Sequence, residues 1–221
     1  SVYTSTTTVL INPDGERSFL HYSGGNARMS EDDVNYDIIK MAKILHVAAA
    51  FLVPGLDGEP MARVLEKARQ MGVATSLDTA WDAEGRWMQL LEPCLHHVDI
   101  FIPSIEEAQI LSGKRDAAAI AEFFLDYGIS TVILKLGEDG CYAITRDSEF
   151  AVPAFKVDKV VDTLGAGDAF VAGFLAARVN GWDLKKACTF ANATGASCVA
   201  ARGASGIKPM NEMMRQYPID A

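Results

Sequence analysis

The sequence predicts an α/β fold in which a mainly parallel sheet lies between layers of helices. Short apolar segments alternate with amphipathic helical segments from residue 43 to residue 137, and this alternation is typical of βαβ units with right-handed crossovers. The final stretch, residues 162–221, is mostly helical in pattern. With 221 residues, of which 49% are hydrophobic, the chain can bury a sizeable core.

The first elements that the pattern predicts are a hairpin and a helix. Residues 7–22 consist of two strand-like segments around the sequence NPDG, where Pro13 and Gly15 favour a turn. Ser30 stands three residues before Asp33, which is the spacing of a helix cap, and a helix is expected from there to about Lys43.

Strands and helices alternate in the middle of the chain. Strands are predicted at 43–49, 72–78, 98–104 and 129–137, and helices near 58–71, 84–92, 105–112 and 116–127. Residues 140–145 and 149–155 break the alternation and are expected to form an antiparallel excursion.

Polar and small residues follow several of these strands. Asp78, Ser104, Gly137 and the turn at 162–168 each close a predicted strand. Ligands of parallel sheets bind outside the carboxyl ends of the strands. We therefore expect these four positions at one rim of the sheet.

The segment VVDTLGAGDAF at residues 160–170 is the strongest functional signal. Gly165-Ala166-Gly167 opens an apolar helix that ends at Gly181 and is expected to be buried. Free N–H groups and the positive dipole end of that helix would form an anion site, and Asp168 lies within about one turn of it. A purely structural alternative, in which Asp168 is a first-turn carboxylate and the glycines shape a turn, is equally compatible with the spacing.

Other motifs are weaker or absent. A dinucleotide fingerprint is disfavoured because Phe170 stands at its third glycine and no strand with a terminal acidic residue follows the helix. The chain contains no Walker P-loop. Glu106 and Glu107 begin a predicted helix, where capping is favoured over metal binding. The small residues of segment 190–205 indicate close helix packing.

Composition limits the class of partner. The formal net charge of −9 argues against a nucleic-acid or membrane partner but allows a small anionic ligand, which local N–H groups can bind. Cys94, Cys141, Cys188 and Cys198 show no metal-ligand spacing, so reduced core thiols and a cytoplasmic location are expected. The four histidines share no catalytic motif and are interpreted as structural or surface residues.

The order of the glycine-rich segments resembles the ribokinase (PfkB) family of carbohydrate kinases. Lys135-Leu136-Gly137-x-x-Gly140 is followed by Asp162-Thr163-x-Gly165-Ala166-Gly167-Asp168, then by ANATGAS and RGAS. The resemblance spans essentially the whole chain. It implies a three-layer ribokinase-like fold with a small β lid, and phosphoryl transfer that uses ATP and Mg²⁺.

The resemblance also implies a role for individual residues. Asp168 would be the catalytic base, and the backbone of Gly165, Ala166 and Gly167 the anion hole. Contacts to the nucleotide would come from Ser104, Lys135, Gly137, Glu138, Gly140 and Asn192. Ser104 stands where the family has asparagine in its N-x-x-E motif, and Glu107 of that motif would hold Mg²⁺ through water. A monovalent cation such as K⁺ would bind Asp162 and the carbonyl groups of Leu164, Cys198, Ala201 and Gly203.

The resemblance divides the chain into two parts. Residues 1–26 would be part of the lid, and residues 27–221 the α/β domain that binds nucleotide and substrate. Family members usually carry an upstream portion with a Gly-Gly sugar-binding segment, for which Gly24-Gly25-Asn26 is no substitute, so upstream sequence is expected to be missing. The family also implies a homodimer that forms through the lid.

The favoured function is therefore an ATP-dependent kinase of a sugar or sugar derivative. Two alternatives stay open: a non-catalytic sugar- or nucleotide-binding protein or inactive fragment on the same fold, and a nucleoside kinase. Asp168 favours an enzyme, since a sensor needs no base. Trp81 and Trp87 after Asp78 resemble the sugar-acid and fructose branch more than the adenosine branch.

Overall fold

The computed structural model describes residues 2–12, 17–203, 207–217 and 219, and these contain two separate sheets. The smaller sheet is the predicted hairpin, in which β1 (Thr6–Ile11) pairs antiparallel with β2 (Arg17–Tyr22). The predicted turn at Pro13 and Gly15 lies outside the described residues.

The larger sheet has six strands, which lie side by side in chain order. They are β3 (Ile44–Ala50), β4 (Ala74–Thr79), β5 (Ile100–Phe101), β6 (Thr131–Lys135), β7 (Cys141–Ile144) and β8 (Glu149–Val152). The first four pair in parallel, and β6, β7 and β8 pair antiparallel. This confirms both the parallel sheet and the antiparallel excursion.

Helices cover both faces of this sheet, which gives three layers. They are α1 (Tyr36–Ile39), α2 (Glu59–Gln70), α3 (Met88–Leu95), α4 (Ile105–Ser112), α5 (Ala117–Leu125), α6 (Ala166–Val179), α7 (Leu184–Val199) and α8 (Met210–Gln216). One core contains side chains of α2 to α5 around Leu65, Phe101 and Phe124. The other core contains side chains of α6 to α8, including Phe174 and Met213.

The predicted continuous helix from Ser30 to Lys43 is wrong. Ser30 does form a capping box with Asp33, but the box starts only a 3-10 turn at Glu31–Asp33. Val34 is extended, and the side chain of Asn35 then accepts bonds from Asp37 N and Ile38 N to cap the short α1. Because asparagine competes locally for backbone N–H groups, it starts a new helix rather than continuing one.

The helix expected near 84–92 begins later, at Met88. The buried Asp82 accepts hydrogen bonds from Glu84 N at 3.0 Å and from Trp87 N at 2.6 Å, which closes a turn ahead of the helix. Trp87 has a φ of 35°, and Phe51, whose ring lies 5.7 Å from the Trp87 ring, has a φ of 83°. These are the two non-glycine residues with positive φ among those the structure describes.

The helix after the glycine-rich turn is buried along one face, whereas Ala172 and Ala176 on the other face are exposed, so its predicted burial is confirmed only in part. Ala169, Phe170, Val171 and Phe174 lie in the core, whereas Val179 near the end is exposed. α6 packs closely on α7, because Gly173 faces Thr194 directly. The four cysteines are free and buried, as expected. No helix in the described ranges is long and apolar enough to cross a membrane.

Candidate active site at the rim of the sheet

Three elements meet at the carboxyl-end rim of the sheet: β4, β6 and the start of α6. Asp78 in β4 and Lys135 in β6 form an ion pair, with 2.5 Å between Oδ2 and Nζ. A Cβ atom built on Gly167 would lie 3.5 Å from Lys135 Nζ, so the ammonium faces the first turn of α6. Ser104, which follows β5, pairs with Lys135 through an isolated parallel β-bridge of the backbone. The predicted rim positions are therefore close neighbours.

At the start of α6, Ala166 N donates to Thr163 O at 3.3 Å, whereas the N–H groups of Gly167 and Asp168 have no acceptor among the described residues. Gly165 is the N-cap in the left-handed conformation, with a φ of 78°, and it has no side chain to cap the helix. The first N–H groups of a helix have no acceptor within the helix, and the dipole adds positive character there. Asp168 lies in this first turn and is exposed. The turn thus combines N–H donors with an accessible carboxylate.

Burial dominates the electrostatics of Asp78. Burial raises the pKa of its carboxyl group to about 6, although the positive charge of Lys135 opposes this shift. Asp78 Oδ1 accepts a hydrogen bond from Thr79 N at 2.8 Å. Both oxygens of this carboxylate therefore have partners.

His46 in β3 belongs to the same neighbourhood. Its pKa is lowered by burial and then by the positive charge of Lys135, while the negative charge of Asp168 acts in the opposite direction. Its Nδ1 also lies 3.2 Å from Ser76 Oγ. His46 therefore lies within electrostatic reach of the groups at the start of α6.

Glu107 connects α4 to β4. It forms a capping box with Ser104, and its Oε2 accepts a hydrogen bond from Thr79 Oγ1 at 2.8 Å. Neither contact involves Oε1, so that oxygen can accept a bond from a metal-bound water. No group of three or more His, Cys, Asp or Glu side chains in the described part of the chain is arranged as a metal site. Magnesium binding by Glu107 through water stays a prediction.

The glycine turn after β6 is built against the end of β8. A Cβ atom on Gly140 would come within 2.1 Å of Val152 O, so only glycine fits there. The amide nitrogen Nδ2 of Asn192, in α7, donates to Val152 O at 3.0 Å and to Pro153 O at 3.1 Å. Gly140 and Asn192 therefore hold the same short segment, while Gly137 and Glu138 are exposed on the turn. Their contacts with a nucleotide stay predictions.

The five residues of the predicted monovalent-cation site lie together. Asp162 accepts from Leu164 N and from Gly203 N, at 3.0 Å each. Cys198 Sγ lies 3.7 Å from Leu164 O, and Ala201 N donates to Cys198 O at 3.1 Å. These bonds bring the end of α7 against the turn before α6. Cation binding by this arrangement stays a prediction.

The chain belongs to the pfkB family of carbohydrate kinases. The family model matches residues 2–211, which is nearly the whole sequence. This confirms the resemblance that the glycine-rich segments indicated.

Individual relatives agree with this assignment. The chain is 29% identical over 214 residues to 2-dehydro-3-deoxygluconokinase of Bacillus subtilis, an alignment that covers 92% of this chain and 65% of that enzyme. It is 30% identical over 217 residues to ribokinase of Staphylococcus aureus, covering 94% of this chain and 67% of that enzyme. The chain thus spans about two thirds of the length of these relatives.

A solved structure shows the same fold. A candidate ribokinase II of E. coli, in complex with ATP and Mg²⁺, superposes with a TM-score of 0.80 at 26% identity, over 95% of this chain and 70% of that one. The three-layer ribokinase-like fold is therefore confirmed.

Proposed function

We propose that the protein transfers a phosphoryl group from ATP to a hydroxyl group of a sugar or sugar derivative. One observation carries the proposal: the uncapped start of α6 presents N–H donors, faces the Lys135 ammonium across Gly167, and bears the exposed carboxylate of Asp168. Positive charge for a phosphoryl group and a base for an acceptor hydroxyl thus occur within one helical turn.

The first turn of α6 holds the transferring phosphoryl group. Phosphoryl transfer requires little covalent chemistry from the protein, and catalysis comes mainly from positioning and from stabilising the charge on the equatorial oxygens. The backbone of Gly165, Ala166 and Gly167 is fixed before the reaction, which avoids reorganisation during it. Gly167 N supplies a free donor, whereas Ala166 N must exchange its 3.3 Å bond to Thr163 O for one to the phosphoryl group.

Asp168 accepts the proton of the acceptor hydroxyl. The hydroxyl oxygen then forms a bond to phosphorus as the bond to the leaving oxygen of ADP breaks. A carboxylate in the first turn of a helix is held near the anion that the same turn binds, so the base and the electrophile approach the acceptor together.

Mg²⁺ and the nucleotide complete the site. Glu107 would hold the ion through water, and the ion neutralises phosphate charge when it is bound. Ser104 and the turn of Gly137, Glu138 and Gly140 lie on the side of the rim where the nucleotide would extend, with Asn192 supporting the turn from α7. That E. coli relative with ATP and Mg²⁺ supports both cofactors for this chain.

A monovalent cation such as K⁺ would bind next to the start of α6. The bonds that Asp162 accepts from Leu164 N and Gly203 N support this, because they bring two residues of the predicted site next to one carboxylate. We expect faster turnover in K⁺ than in a bulky organic cation at equal ionic strength. Equal rates would contradict the cation site.

The hairpin is proposed as part of a lid over residues 27–221 and as a contact between two subunits. Leu10, Ile11, Phe19, Leu20 and Tyr22 on it are all exposed by 49% or more, and such side chains are typical of contact surfaces. Sedimentation analysis of Leu20→Asp should show a monomer if the wild type is a dimer of this kind. A wild-type monomer at micromolar concentration would contradict the dimer.

A coupled assay of ADP release tests the function directly. Sugars, sugar acids and nucleosides serve as candidate acceptors, and we expect release that depends on a sugar or sugar acid, because the matched relatives are named as kinases of such compounds. Release with nucleosides alone would favour the nucleoside kinase. Binding of sugar or ATP without any release would favour a non-catalytic protein.

A further inference from the structure

The Asp78–Lys135 ion pair lies at the rim almost entirely out of solvent. The exposed fractions of the two side chains are 7% for Asp78 and 14% for Lys135. Removing two charges from water is costly, and an apolar pair of similar volume is often as stable or more so. Stability alone is therefore a weak explanation for this pair.

The bonds around the pair fix the position of the ammonium group. Asp78 Oδ1 accepts a hydrogen bond from Thr79 N, and the hydroxyl group of Thr79 donates to Glu107. These two bonds give the Asp78 carboxylate a defined orientation. Its Oδ2 then holds Lys135 Nζ at 2.5 Å. A lysine side chain has several rotatable bonds, and this contact restricts it to one place at the rim.

That place is the first turn of α6. Lys135 Nζ lies 3.5 Å from the Cβ position of Gly167, which is contact distance, and Cε lies 4.0 Å from it. An ammonium group has three N–H donors, and the described contacts use one of them for Asp78. Donors therefore remain for an anion bound between the ammonium and the helix.

We propose that Asp78 is a positioning residue, which holds the Lys135 ammonium over the first turn of α6 so that it binds the transferring phosphoryl group. This inference rests on the proposed function and extends it, since it assigns Lys135 to the reacting phosphate and gives Asp78 a role through Lys135. Asp78 itself contacts neither the phosphate nor the acceptor.

The competing explanation is that the pair only ties β4 to β6 across the short strand β5. Both explanations predict that removing one partner harms the protein, because a buried charge is left without its counterion. They differ when both charges are removed together. A tie between strands can be replaced by an uncharged pair, whereas a cation for the phosphate cannot.

The test uses three variants, Asp78→Asn, Lys135→Met and the double variant, with melting temperature, kcat/KM and MgATP affinity measured on each. We expect each single variant to melt roughly 5–10 °C lower and the double variant to recover most of that loss. We expect kcat/KM to fall at least tenfold in Asp78→Asn and at least 100-fold in Lys135→Met. The kcat/KM of the double variant should stay as low as that of Lys135→Met. Relative to the wild type, the double variant should lose more affinity for MgATP than for MgADP.

The exposed ion pair Asp37–Lys40 supplies the matched control, with 3.7 Å between its charged groups and side chains exposed by 93% and 64%. Asp37→Asn with Lys40→Met makes the same charge changes away from the rim and should leave all three measurements unchanged. A double variant at the rim that recovers both stability and turnover would overturn the inference and leave the proposed function standing. A wild-type protein without ATP binding or turnover would overturn the proposed function, and the inference with it.

Discussion

Replacing Gly167 with alanine should separate the stability of the protein from its ability to bind phosphate. Gly167 does not have a positive φ, so alanine introduces no backbone strain, and its Cβ would make an ordinary contact of 3.5 Å with Lys135 Nζ. Alanine in a helix is more stable than glycine by about 0.5–1 kcal/mol. We therefore expect the folded state of Gly167→Ala to be as stable as the wild type or slightly more so.

Binding of MgATP should change in the opposite direction. The new methyl group would occupy the space between the Lys135 ammonium and the start of α6, where the phosphoryl group is proposed to lie. We expect at least a tenfold loss of affinity, or ~1.4 kcal/mol, and a larger loss for the bulkier Gly167→Val.

Calorimetric titration with MgATP and denaturant unfolding on the same preparations measure both quantities. Gly195→Ala is the control, because its Cβ would make a similar contact, 3.6 Å from Ala166 O, on the α7 side of the same turn. It should share the gain in stability without the loss of affinity. Wild-type affinity in both Gly167 variants would refute the placement of the phosphate at this turn.

Three further predictions concern stability, thiol reactivity and pH. A Cβ atom on Gly173 would lie 2.3 Å from Thr194 Oγ1, so Gly173→Ala should lower the free energy of unfolding by about 1–3 kcal/mol. Adding Thr194→Ala should restore part of it, and wild-type stability in Gly173→Ala would contradict the close packing. The four cysteine thiols are buried, and burial raises the pKa of Cys94 to about 12. They should not react with Ellman's reagent at about pH 8 until the protein unfolds, and rapid labelling of the native protein would contradict their burial. Because burial raises the pKa of Asp78 to about 6, the folded state keeps this proton longer than the unfolded state as pH rises. The contribution of Asp78 to the free energy of unfolding should therefore decline as pH rises from about 4 to 6. This contribution is the free energy of unfolding of the wild type minus that of Asp78→Asn, and a value that does not change across this range would contradict the assignment.

Local patterns in the sequence predicted much of the fold. The bounds predicted for α4, residues 105–112, match the structure because Ser104 and Glu107 form a capping box that spacing alone reveals. β6 was predictable because its buried residues, Val132 to Leu134, form a continuously apolar run, as is typical of strands in parallel sheets. The start of α3 was not, because the strained backbone of Trp87 depends on a bond to the buried Asp82.

The site was predictable only in outline. The rim position of Asp78 was predictable from the end of its strand, since parallel strands end at the same edge. The turn at 162–168 reaches the rim without closing a strand as predicted, because β8 already ends at Val152. The pairing of Asp78 with Lys135 was not predicted, because 57 residues separate them and the contact depends on strand order and side-chain direction. The contact of Asn192 with the end of β8 was missed for the same reason, since it spans 40 residues.

The central claim is that Asp168 takes the proton of the acceptor hydroxyl, and Asp168→Asn tests it most directly. Asparagine keeps the volume of aspartate but is a poor proton acceptor, so we expect kcat to fall about 10²–10⁴-fold with MgATP affinity nearly unchanged. A purely structural first-turn carboxylate would contribute only about 0.3–1 kcal/mol to stability and nothing to kcat. Measuring kcat and melting temperature on one preparation separates the two cases. A variant that melts at a lower temperature but retains wild-type kcat would contradict the account.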